Sequence, residues 1–339
     1  MFATLAAALF LTRAAAIPAP DQDCLACHSQ AGMKSEAGKN ISIDAAKHAA
    51  GAHSVLGCKD CHTSIKEFPH PKKIAKVQCA TCHDQEVKDF EKSAHAALGE
   101  TACATCHGNV HDLTTAEKLM PAKCNECHAD EIKTLAESIH GQAAKNGDPD
   151  APKCTSCHGS VHAAKSSAEP DSAIALRNLP ATCAKCHSDA GFLSRHKIPV
   201  ARPVESYEQS IHGRAIFAGN ENAASCNRCH GSHDIRPGRD PNSRVNHWKV
   251  VDTCGQCHKE IARQFRESVH GVAVQAGVRD APVCTYCHGE HLIVNPASPG
   301  SPLSAARVSA DTCGRCHGDA RFAQRYDLPA DRDAGTGQF

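Results

Sequence analysis

The chain has 339 residues, its 37 basic and 37 acidic side chains cancel, and only 4% of its residues are aromatic. Mean hydropathy is −0.40. This balance gives no basic field for nucleic acid, and so few aromatics cannot build an ordinary core for a chain this long. Its 22 cysteines and 24 histidines, far above common usage, point to something other than side chains filling the interior.

Residues 1–20 are apolar and small from Phe2 to Leu11, with a late Arg13 and closing Pro18, Ala19 and Pro20. They resemble a secretory signal and are too short to span a membrane. All the cysteines then fall into eleven Cys-x-x-Cys-His motifs. These are Cys24, Cys27 and His28; Cys58, Cys61 and His62; Cys79, Cys82 and His83; Cys103, Cys106 and His107; Cys124, Cys127 and His128; Cys154, Cys157 and His158. The series continues with Cys183, Cys186 and His187; Cys226, Cys229 and His230; Cys254, Cys257 and His258; Cys284, Cys287 and His288; Cys313, Cys316 and His317. Zinc sites and disulfide scaffolds also pair cysteines, but neither needs a histidine after every second one. Cys-x-x-Cys-His is the attachment signature of c-type haem. The thiols bond the vinyl groups and the adjacent imidazole becomes one axial ligand. The predicted complement is eleven haem c, whose porphyrins supply the apolar interior and whose propionates occupy the Lys and Arg side chains.

Two motif types alternate along the chain. Type A reads Cys-x-x-Cys-His-Gly with a further histidine close behind, at Cys103, Cys154, Cys226 and Cys284, and more loosely at Cys58. Type B is followed by a helical segment ending Ser-x-His, at Cys79, Cys124, Cys183 and Cys254; Cys24 and Cys313 are partial members. The A-to-B spacing is compact in the first two pairs, and Pro-, Ser- and Asn-rich insertions expand it in the last three, which reads as loops. Ser138–Pro199 matches Ser268–Pro329 at an offset of 130 residues. The expected organisation is a signal over 1–20, five haems on compact repeats over 21–145 and six on expanded repeats over 146–339.

Apolar residues at three- and four-residue spacing predict short amphipathic helices over 83–95, 128–140 and 258–270, two of them stopped by His-Gly. Nothing alternates over strand length. The predicted fold is mainly α with extensive loop, a few short helices and little or no sheet, cored by haem.

Thirteen histidines lie outside the motifs. With almost no methionine available, bis-His ligation is the expectation. The Ser-x-His group, His95, His140, His212 and His270, and the post-motif group, His111, His162, His233, His291 and the more distant His70, are candidate distal ligands, as are His48 and His53. His196 and His247 lack a repeating context. A straight helix sets His128 and His140 about 18 Å apart, too far to share one iron. His291 lies too close behind His288 to round a porphyrin edge. Ligands exchanged between consecutive haems are therefore expected. At the 130-residue offset, the last type-B motif lacks its closing histidine.

The eleven motifs and the recurring order Ser-x-His-Gly, Cys-x-x-Cys-His-Gly-x-His, Cys-x-x-Cys-His resemble the multihaem cytochrome c superfamily over the whole length after residue 20. The resemblance implies a periplasmic or extracellular electron carrier without catalysis of its own. Its implied partners are quinol-linked membrane cytochromes and periplasmic or extracellular carriers, in anaerobic respiration. Two alternatives stay open. One is a multihaem reductase or dehydrogenase of nitrogen or sulfur oxyanions with one open haem, although no motif departs from histidine. The other is a subunit of a cytochrome filament or of a membrane respiratory complex.

Overall fold

The computed structural model describes residues 19–113 and 122–328, so the expected signal falls largely outside the described residues. Two compact units divide the chain, residues 1–129 and 130–339. The longest described helix, Ala19–His28, has ten residues. Among the described residues the only β pairing is an isolated bridge between Lys34 and Asn40. The fold is helical, in many short pieces without a sheet.

The predicted amphipathic helices form, but they end sooner than their spacing suggests. In the second unit α1 (Ala129–Glu137) gives way to α2 (Ile139–Lys145), α3 (Pro203–Gln209) to α4 (Ile211–Phe217), and α5 (Lys259–Glu267) to α6 (Val269–Gln275). The residue between each pair is serine: Ser138, Ser210 or Ser268, all in extended backbone. Each Oγ accepts from the N–H of the glycine three residues on, at 3.0, 3.0 and 3.2 Å. This is an N-cap. Ser138 and Ser268 also donate to Leu135 and Phe265 carbonyls at 2.6 Å. Ser-x-His-Gly therefore opens a second helix rather than closing the first. Its glycine is there for close approach: a methyl on Gly271 would run into the carbonyl of Phe265 and sit 2.7 Å from Arg266 Cα.

The expanded insertions are turns held by a repeated contact. Ser172, Ser243 and Ser301 are buried. Thr182, Thr253 and Thr312 donate to the carbonyls of Ala173, Arg244 and Pro302 at 2.7, 2.7 and 2.8 Å. A second clasp ties each copy's last helix to the segment before its type-A motif. Asp150 accepts from Arg195 and sits 3.0 Å from His196 Nε2. Its counterpart Asp280 accepts from Arg325 at 3.1 Å and Tyr326 at 2.8 Å.

Side chains alone make little core. The apolar cluster of the second unit is Val250, Val251, Ala262 and Val283, packed against Phe265, Val274 and the motif cysteines Cys254 and Cys284.

Candidate haem sites

Each type-A motif of the second unit is a single helical turn: Cys154–His158, Cys226–His230 and Cys284–His288. The turn presents both thiols and the imidazole together. The glycine that follows adopts positive φ, 87° at Gly231 and 78° at Gly289, which turns the chain back at once. That reversal carries the post-motif histidine away from its own motif.

The imidazoles come together in pairs. In the first unit, ring centroids lie 6.0 Å apart for His28 and His70, 6.0 Å for His53 and His83, 6.1 Å for His62 and His111, and 6.2 Å for His95 and His128. In the second, the separations are 6.3 Å for His140 and His187, 6.0 Å for His158 and His233, and 6.2 Å for His212 and His258. His230 and His291 stand 5.9 Å apart, His270 and His317 6.2 Å. Two metal–imidazole bonds of about 2 Å, plus roughly 1 Å from each nitrogen to its ring centre, put trans imidazoles of one metal about 6 Å apart. Every pair joins one motif histidine to one histidine from outside the motifs. The donor set and its spacing fit haem c held at both axial positions.

The pairs follow a rule of reach. A Ser-x-His histidine faces the type-B motif beyond the next type-A motif: His95 faces His128, His140 faces His187, His212 faces His258 and His270 faces His317. A post-motif histidine faces the type-A motif of the preceding repeat, as His111, His233 and His291 do. These partners are thus two motifs away, whereas His70, which follows the Cys58 motif, faces His28 of the motif directly before it. His317 faces His270, so the last type-B motif has its partner already. Orientation separates the two classes. Post-motif pairs, His28–His70 included, are within 11° of parallel, whereas the others are tilted by 43° to 76°.

Burial holds the rings in the neutral form that a metal needs. It pushes His230 down to about 4, helped by neighbouring His291 and His187. The same cause lowers His62, His111, His140, His187, His212, His270, His288 and His291. His62 Nδ1 is buried without a hydrogen-bond partner.

The thiols meet as well. The first cysteines of neighbouring motifs lie close enough to shift one another's titration: Cys24 and Cys58, Cys79 and Cys103, Cys183 and Cys226, and Cys254 and Cys284. As free thiols, Cys254 and Cys284 share a proton, which raises Cys254 and brings Cys284 down to about 7. Attachment points of successive macrocycles are therefore neighbours. Burial, with Asp21 beside it, pushes Cys58 up to about 12. Asp21 also accepts from Cys58 N at 2.8 Å, an anchor that sequence spacing did not reveal.

The remaining histidines sort differently. His107 and His162 both have interaction partners. His48 lies in the helix Ala45–Ala49 and faces no motif imidazole among the described residues. His196 is held by Asp148 and Asp150, in the place that Tyr326 takes in the second copy. His247 packs against Trp248 and stands edge-on to Tyr286 at 6.1 Å.

Residues 240–327, which carry the motifs at Cys254, Cys284 and Cys313, match the family model for cytochrome c7 and related cytochrome c. No curated protein and no solved structure matches the chain. The chain thus contains a cytochrome c7-like region over residues 240–327, which supports covalently bound haem c and electron transfer there.

Proposed function

We propose that the protein carries electrons along a row of eleven haem c groups, mostly bis-His, and that it does so in anaerobic respiration outside the cytoplasm. The carrying observation is the set of nine imidazole pairs 5.9 to 6.3 Å apart, each made of one motif histidine and one outside it. In this reading the motif cysteines attach the macrocycles, and His53, His70, His95, His111, His140, His162, His212, His233, His270 and His291 supply distal ligands. His48 is the spare.

A haem held between one such pair of imidazoles would exchange electrons without binding substrate. The chain's own residues set how readily. They hold attachment points of neighbouring macrocycles close together, bury some of the imidazoles, and place the Ser-x-His rings through the serine-capped helix starts. The absence of methionine ligands favours low potentials. Donor and acceptor in this reading are redox proteins, a quinol-linked membrane cytochrome on one side and a periplasmic or extracellular carrier on the other. Export through residues 1–20 places the chain where such partners are found.

Intact mass of the secreted protein tests the reading. Eleven haem additions and a chain shortened near residue 20 are expected. A smaller haem number, or a mass that retains the first twenty residues in a cytoplasmic fraction, would falsify it. EPR of the oxidised protein then counts low-spin haems.

A further inference from the structure

Two neighbouring sites of the first unit differ in one respect. His28 faces His70 and His62 faces His111, with ring centroids 6.0 and 6.1 Å apart and planes 2° and 11° from parallel. Ligand type, spacing and orientation therefore match. What differs is the partner of the second ring nitrogen. An imidazole that binds metal through Nε2 keeps a hydrogen on Nδ1, and the acceptor this hydrogen finds sets how strongly the ring donates to the metal. His28 Nδ1 donates to the carbonyl of Ile41 at 3.1 Å, and His70 Nδ1 to the carbonyl of Pro71 at 2.8 Å. His62 Nδ1 is buried and has no partner. His111 Nδ1 meets the side-chain amide oxygen of Asn109 at 3.1 Å, and that same oxygen also accepts from His111 N at 3.2 Å.

One site thus has two peptide carbonyls behind its rings, and the other has one shared amide oxygen. A ring whose N–H is bonded to a good acceptor pushes more electron density to the iron and favours the ferric state; an unpaired N–H withholds it. Burial acts in the same direction. It holds His62 and His111 below the usual histidine range, and the same loss of water disfavours the more highly charged ferric centre. Asp21 acts the other way where it accepts from Cys58 N at 2.8 Å. It also lies three residues before Cys24 on one helix, so its charge acts at both attachment points and does not separate them.

We propose that the haem attached at Cys24 and Cys27 has a lower reduction potential than its neighbour at Cys58 and Cys61, so that the electron step between them runs from Cys24 to Cys58. One electron leaves the ferrous centre at Cys24 and reduces the ferric centre at Cys58. No proton moves, since every Nδ1 keeps its hydrogen. The Cys24 site is then the donor side of this pair. The inference rests on the haem reading proposed above and adds a direction to it. Asn109 is a positioning residue, acting on the metal through His111. It is the one side chain among the three acceptors, and so the one that substitution can remove.

The test uses the full holoprotein in a redox titration followed by EPR of the low-spin ferric haems. His70→Ala and His111→Ala should each turn one haem high-spin. The low-spin signal that each variant loses marks the Cys24 or the Cys58 haem in the wild-type titration. As the potential is lowered, the signal lost in His70→Ala should disappear after the one lost in His111→Ala. Asn109→Leu takes the acceptor from His111 and should shift the Cys58 haem about three- to ten-fold towards reduction, one hydrogen bond's worth, or about 30 to 60 mV at 59 mV per tenfold. Asn109→Asp keeps the oxygen that caps this turn and adds charge, so it should shift the same haem by at least as much towards oxidation, with a smaller effect at Cys24. The reverse order in the wild-type protein overturns the proposal. So do Asn109 variants that are silent or that both shift the haem one way, as a purely structural role would. If either histidine variant leaves every haem low-spin, the ligand pairing itself fails and the proposal falls with it.

Discussion

Gly271→Ala separates helix propensity from packing, because the two predict opposite signs. Replacing glycine by alanine inside a helix should stabilise by roughly 0.5–1 kcal/mol. Here the new methyl sits 2.7 Å from Arg266 Cα and inside the carbonyl of Phe265, both backbone atoms of α5. Ordinary contact begins at 3.4 Å, so α5 and α6 must part by at least about 0.7 Å. Overpacking of this kind costs about 1–3 kcal/mol, and rigid backbone on both sides puts the cost at the upper end. The net expectation is a loss of about 1–2 kcal/mol, or roughly 2–8 °C in Tm for a unit of this size. His270 is the residue beside Gly271, with its ring 6.2 Å from His317. A metal–imidazole bond of about 2 Å does not stretch by such a shift, so the haem attached at Cys313 and Cys316 should turn high-spin. Thermal unfolding followed by Soret absorbance, with EPR of the oxidised protein, reads both effects. Gly300→Ala is the control, since nothing lies within 4 Å of the added methyl. If Gly271→Ala melts at or above the control and adds no high-spin haem, the close-approach argument is wrong.

His291→Ala removes the ring facing His230 and should add one high-spin haem, at Cys226 and Cys229 rather than at Cys284; unchanged EPR would refute the pairing. The near-parallel and tilted imidazole classes should give two low-spin EPR populations, a rhombic one from the post-motif pairs and one with larger maximal g from the tilted pairs; a single homogeneous population counts against the orientations. Haem-free protein should show no cooperative thermal transition, because the side-chain core is a handful of small residues; a native-like circular dichroism spectrum would contradict this. Asp150, hydrogen-bonded by His196 and Arg195, and Asp280, hydrogen-bonded by Tyr326 and Arg325, are both held below the usual carboxylate range. A depressed folded pKa adds stability above the unfolded value, about 3.9, and loses it as pH falls through the folded one. Protection factors of the amides of Ala190–Arg195 and Ala320–Arg325, taken relative to the intrinsic exchange rate at each pH, should therefore hold at neutral pH and fall only below about pH 4; protection already lost at pH 6 would exclude the clasp.

The motifs, the helical character and the two histidine groups were legible in sequence because each is local: three residues in a fixed order, or apolar spacing over two turns. Helix ends were not. Ile132, Leu135 and Ile139 keep a helical period straight through Ser138, so the spacing hides the break that the serine cap makes. The glycine behind it looks like a helix stop and serves instead for contact with the preceding helix. Partnering was partly legible. Distance along a straight helix separates His140 from His128, and chain reversal separates His291 from His288, but neither says which motif receives them. That depends on how Ile211 finds the carbonyl of Ile293, a backbone bond between residues 82 positions apart that no side-chain pattern encodes. For the same reason the apparent gap moved. Counting forward by 130 residues assigns the missing histidine to the last type-B motif, whereas the reach of two motifs supplies His317 from His270 and leaves His288 facing none.

Interlaced reach has an energetic consequence. Each repeat of the second unit contributes one ligand backward and one forward, so its stability is shared with its neighbours, as in other stacked-repeat proteins.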